Sequence, residues 1–190
     1  MDVAGERVDA ASLKALDPDT QRLTVIGIIR RVLERDVTGR RRLRGEAGRL
    51  ASLTGLRDAA EAKRRAELFD RYLDHVLGVV TWKEEGPGLI LRIGKKLEVP
   101  LGDADVAAVL APVFGSVPDG SSDRALRAEY YWAESWRDIF RLLAAEPTGW
   151  RWDEGRSRLD YSSSALAEKV ARLQEDARAF ATAFTPPSAP

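Results

Sequence analysis

Two stretches of this chain repeat apolar residues at alternating steps of three and four, and that spacing constrains the fold more than any other feature. Ala59, Ala62, Ala66, Phe69, Leu73 and Val76 form the first seam; Leu166, Val170, Leu173, Ala177, Phe180 and Phe184 form the second. An α-helix turns once every 3.6 residues, so each set lies along one side of a helix and needs a partner to cover it. Each seam runs roughly two and a half heptads, short of the three or four that argue for a free coiled coil. Packing inside one bundle is therefore the first expectation, and a homodimer through the last helix or docking into a larger assembly is the second.

The rest of the composition limits what such helices can carry. The chain has 190 residues, of which 44% are apolar, and its 30 basic side chains balance 30 acidic ones. That is enough apolar chain for one domain or two small ones, and too much for a disordered protein. Without cysteine there is no disulfide framework, thiolate metal site, iron–sulfur cluster or cysteine nucleophile, and with one histidine there is no histidine-rich metal site. No cofactor motif is present. The longest apolar run, Val25 to Ile29, is far too short to span a membrane, and the acidic N-terminus lacks a signal-peptide pattern. A cytoplasmic location with no membrane contact is expected.

Along the chain, residues 1–16 read as a flexible arm. Asp17-Pro18 opens a helix, with Leu23, Ile26, Ile29 and Leu33 at helical spacing and Val25, Ile28 and Val32 widening the stripe. Thr38-Gly39 is expected to end it, Glu46 to Leu53 to form a short helix, and the first seam to lie on a long helix after Arg57. Val79 to Lys83 and Leu89 to Ile93, separated by Gly86-Pro87-Gly88, read as a β-hairpin or a small meander reaching Val99. Asp103 or Asp105 caps a helix ending near Phe114, which completes a first lobe over 17–114. A linker loop at 115–122 leads to a second lobe over 123–185. There a helix runs from about Asp123 to Ala145, Trp150-Arg151-Trp152 and Arg158 to Tyr161 form a second hairpin, and Ser162 to Ser164 cap the last helix. Residues 186–190 read as a disordered tail. The fold class is α+β, mainly α-helical: a helical bundle with two small hairpins. In element order alone, helices followed by a hairpin and then the same again, it resembles tandem winged-helix-like lobes. Glu46 to Val76 supply the first helix pair and Val79 to Val99 its wing, although Glu61 and Arg64 stand where that fold needs apolar residues.

The strongest functional signal is basic. Residues 30–49 hold eight arginines against three acids, a local excess of +5 in a neutral chain. Arg40, Arg41, Arg42 and Arg44 would form a loop whose planar guanidinium forks match phosphate geometry, with Arg49 beside it and Lys95-Lys96 adding contacts from the wing. The competing reading is that these arginines pair with the chain's own acids or with an acidic protein, and that their number reflects a composition rich in Arg and Ala. Tyr130, Tyr131, Trp132 and Trp136 could stack a planar ligand but read first as core, and Trp150 with Trp152 reads first as a lid over the core. His75 lies beside the apolar seam, and no G-x-S-x-G elbow accompanies it. Gly88 to Lys95 has one residue too many for a phosphate loop. The acidic pairs Glu84-Glu85, Asp103/Asp105, Glu129/Glu134 and Asp153-Glu154 are explained by turns and caps as readily as by chemistry. The expected function is that of a non-catalytic binding or adaptor subunit whose basic segment contacts nucleic acid or an acidic protein partner. The alternative is a small metal-dependent hydrolase or nuclease using acids near the hairpins. No small-molecule ligand is identifiable.

Overall fold

The computed structural model describes residues 2–3, 6–7, 9–116 and 123–184. The mainly helical α+β class is the one observed, with six helices among these residues. In chain order the elements are β1 (Asp2–Val3), β2 (Glu6–Arg7), α1 (Ala10–Lys14), α2 (Pro18–Leu50), α3 (Ala59–Leu97), α4 (Asp103–Phe114), α5 (Arg124–Ala145), β3 (Trp150–Asp153), β4 (Arg158–Tyr161) and α6 (Ser164–Ala181). β1 and β2 form a two-residue antiparallel ladder. Residues 117–122 of the linker expected at 115–122, and the tail at 186–190, fall outside the described residues.

The chain forms two compact units, Met1–Thr38 with Gly78–Asp123 and Gly39–Leu77 with Arg124–Pro190, so α2 and α3 each contribute residues to both. In unit 1, Val25, Ile28, Ile29, Val32 and Leu33 of α2 pack with Trp82, Ile90, Ile93 and Leu97 of α3 and Val106, Val109 and Leu110 of α4. Leu13 of α1 joins this core. Leu23, expected in the stripe, is 64% exposed. In unit 2, the seam Ala62, Ala66, Phe69, Leu73 and Val76 is buried as expected, as are Leu166, Val170 and Ala177 of α6. Phe69 meets Trp132 edge-on at 5.9 Å and Phe140 at 5.7 Å between ring centroids, an arrangement that aromatic quadrupoles favour. The second hairpin is present, pairing Trp150 with Tyr161 and Trp152 with Leu159. Trp150 of β3 is buried, donating its indole N–H to the Leu143 carbonyl at 2.8 Å.

The first hairpin is not formed. Val79 to Leu97 continue α3 through Pro87, so the winged-helix resemblance fails for want of a wing. Tertiary packing explains why the turn signals misled. A Cβ at Gly78 would come within 3.1 Å of three Asp36 side-chain atoms, one at Gly86 would press on Leu110 at 3.2 Å, and one at Gly94 would meet the Val99 carbonyl at 2.8 Å. These glycines are close-approach points on a helix, and Val79, Trp82, Ile90, Ile93 and Leu97 keep helical spacing between them. The helix stops in a Schellman motif: Val99 N–H donates to Gly94 C=O at 2.9 Å, Glu98 N–H to Lys95 C=O at 3.2 Å, and Glu98 takes the left-handed φ of 59°. That φ suits glycine, and the Lys14–Glu98 pair at 2.8 Å is exposed on both sides and contributes little. Glu98→Gly is expected to raise the melting temperature by about 2 °C, as relief of left-handed strain outweighs the added freedom of the unfolded chain. A lower melting temperature by calorimetry would show that the side chain matters more than the backbone.

Candidate functional site

The arginine-rich segment is helix, not loop. α2 runs without a break through Thr38-Gly39, and Gly39 is again a packing point: a Cβ there would lie closer than 3.0 Å to the His75 ring of α3. His75 is half-buried at this approach. The continuous helix gives residues 40–49 a definite phase, and the phase divides the arginines into two groups.

Arg40 and Arg44, one turn apart on the side shared with the buried Leu43 and Ala47, turn toward α5. There they meet Glu129, which is 1% exposed. Arg40 donates from Nε to Oε1 at 3.0 Å and from Nη2 to Oε2 at 2.5 Å, a bidentate fork, while Arg44 Nε stands 3.9 Å from Oε1. From α3, the Tyr72 hydroxyl donates to the same Oε1. Burial, then the adjacent Glu129 charge and hydrogen bond, push the Tyr72 hydroxyl far above its ordinary value, so it remains a proton donor. A buried carboxylate is tolerated only when charge and lone pairs are both answered, and here one Glu ties three helices of unit 2 together.

Arg41, Arg42 and Arg49 face solvent. At 100° per residue they fall within a sector of roughly 100° on α2, about 12 Å from first to last. Among the described residues none of the three makes an ion pair or a side-chain hydrogen bond. Lys95 and Lys96 are also exposed, but in the last turn of α3 in unit 1, where cations complement the helix C-terminus. They are not on a wing.

Most of the acidic pairs have structural work. Glu84 and Glu85 lie on α3 rather than in a turn, and Glu85 pairs with Arg92 at 3.1 Å. Asp105 accepts the Gly102 N–H at 2.9 Å, closing the first turn of α4, and also faces Arg22 at 3.5 Å. Asp153 accepts the Arg156 N–H at 3.1 Å within the β3–β4 turn, and Glu134 pairs with Arg137 at 3.1 Å. Among the described residues no three His, Cys, Asp or Glu side chains are placed to hold a metal ion. Nor is any described helix long and apolar enough to cross a membrane.

Glu129 is the residue that sequence reasoning missed. The signal was there: Leu126, Glu129, Ala133, Trp136, Phe140 and Leu143 step 3-4-3-4-3, placing an acid on an apolar seam. An acid on a seam calls for a buried cation, and Arg40 with Arg44 at i,i+4 offered one. Arg40→Ala is expected to destabilise the chain by about 3 kcal/mol, because it strands a buried charge, whereas Arg41→Ala one residue away should stay within about 0.5 kcal/mol of wild type. Urea unfolding of the two variants side by side checks the contrast, and equal effects would contradict it. Compared with family models, with curated proteins and with solved structures, the chain matches none.

Proposed function

We propose that this chain is a non-catalytic binding protein that contacts a polyanion, nucleic acid in the first place, through the Arg41, Arg42 and Arg49 face of α2. The observation that carries the reading is the division of the arginines. Arg40 and Arg44 are committed to Glu129, while their neighbours are exposed and make no ion pair among the described residues. Three guanidinium groups on one helical face suit phosphate oxygens that recur along a strand, since each can give a planar fork. The face carries charge but no apolar anchor, which favours backbone contact over base-specific recognition. An acidic protein surface is the second reading, favoured by the chain's zero net charge, because dedicated nucleic-acid binders more often have a basic domain. A metal-dependent hydrolase or nuclease draws no support from the acids described above.

Fluorescence anisotropy against labelled duplex and single-stranded DNA tests the proposal. Wild type is expected to bind with log affinity falling against log salt at a slope of about −2 to −3, as three phosphate contacts require, between roughly 50 and 200 mM salt. Arg41→Glu, Arg42→Glu and Arg49→Glu together should abolish binding while leaving the melting temperature close to wild type. Binding that survives the triple charge reversal, or that ignores salt, would overturn the assignment.

A further inference from the structure

We propose that a cleft in unit 2 is a binding site for a planar aromatic ring carrying an anionic group, of nucleoside-monophosphate size. The cleft measures about 470 Å³ and opens between residues 51–54 after α2, α5, the β3–β4 hairpin and α6. That volume lies in the range of small-ligand sites. Trp136, Trp152 and Tyr161 supply aromatic walls, and Arg158, Gln174 and Arg178 a polar rim. None of the α2 arginines lines it, so it stands apart from the polyanion-binding face.

Most of these side chains make no hydrogen bond or ion pair with another described residue. Trp150, two residues before Trp152 on the same strand, is buried and uses its indole N–H on a carbonyl. Among the described residues, the Trp152 and Trp136 indole N–H groups, the Tyr161 hydroxyl, the Gln174 amide and the Arg178 guanidinium make no hydrogen bond or ion pair. These polar ends are not sealed from solvent, so a ligand entering the concavity can take several donors that otherwise face water. The chemistry of the groups selects its kind. Indole and guanidinium groups only donate, so the ligand must bring acceptors. Arg178 is matched by a phosphate or carboxylate, and Arg158, itself exposed, needs only to leave a loose pair with the half-buried Asp160 at 3.4 Å to join it. Flat aromatic walls accept a flat ring by stacking, with no requirement on which base it is.

Titration of the intrinsic tryptophan fluorescence of the full chain with AMP, adenosine and inorganic phosphate tests the site. AMP is expected to give a saturable change with Kd below about 1 mM, with adenosine and phosphate each at least about tenfold weaker. Arg178→Ala, an exposed position on α6, should weaken AMP at least about tenfold with the melting temperature unchanged, and Trp152→Leu should do the same. A nucleotide of this chemistry could be free or part of a single strand. A short oligothymidylate binding more tightly per site than dTMP assigns the strand, and equal affinities assign the free nucleotide. No saturable response to AMP up to about 5 mM, where a millimolar site would be mostly filled, would overturn the proposal. So would an Arg178→Ala variant that binds AMP as wild type does.

Discussion

Unit 2 is organised by one carboxylate that has almost no access to water. Glu129 leaves the solvent on α5 and is answered by a bidentate guanidinium from Arg40, the more distant charge of Arg44 and a phenolic hydroxyl from Tyr72. The three partners come from two other helices, so no one helix can slide or rotate without exposing a buried charge to an apolar surround. Apolar packing around it, such as Phe69 against Trp132 and Phe140, is non-directional and tolerates several registers. The Glu129 cluster tolerates one. The directional contact selects the register, and the hydrophobic seams supply the bulk of the stabilisation.

That choice of register carries over to the surface. Once Arg40 is held inward, the 100° step of the helix turns Arg41 and Arg42 outward and brings Arg49 round to the same side. A run of arginines that looks uniform in sequence therefore performs two tasks: two residues neutralise an internal acid, and three are offered to an external one. The aromatic cleft shows a similar economy on the β3–β4 hairpin. Trp150 is spent on the core and Trp152 lines a concavity with its polar end unused.

Much of this was legible from residue spacing, and what was not has a common cause. The seam from Ala59 to Val76, the α4 helix after Gly102 and the pairing of Trp150–Asp153 with Arg158–Tyr161 all followed local rules of period, cap and turn. Gly39, Gly78, Gly86, Pro87 and Gly94 obeyed none of them. Glycine serves two purposes, freeing the backbone to turn and removing a Cβ so that another group can come close, and a sequence does not say which is in use. Here it is the second, with His75, Asp36, Leu110 and Val99 as the approaching groups. Reading these glycines as turns cut α2 at Thr38 and converted half of α3 into a hairpin. The same error made a loop of residues 40–44, which erased the helical phase that separates Arg40 and Arg44 from Arg41 and Arg42. Glu129 looks like one of a pair of acids beside its sequence neighbours, and only its place on the α5 seam marks it as buried.

A double-mutant cycle between Arg40 and Glu129 tests the account at its centre. Arg40→Leu, Glu129→Leu and the double variant are unfolded in urea beside the wild type, and the coupling energy is taken from the four stabilities. The account predicts coupling of about 2–3 kcal/mol, with the double variant more stable than Arg40→Leu alone because the stranded carboxylate has gone. Coupling near zero, with the two single effects simply adding, would contradict it.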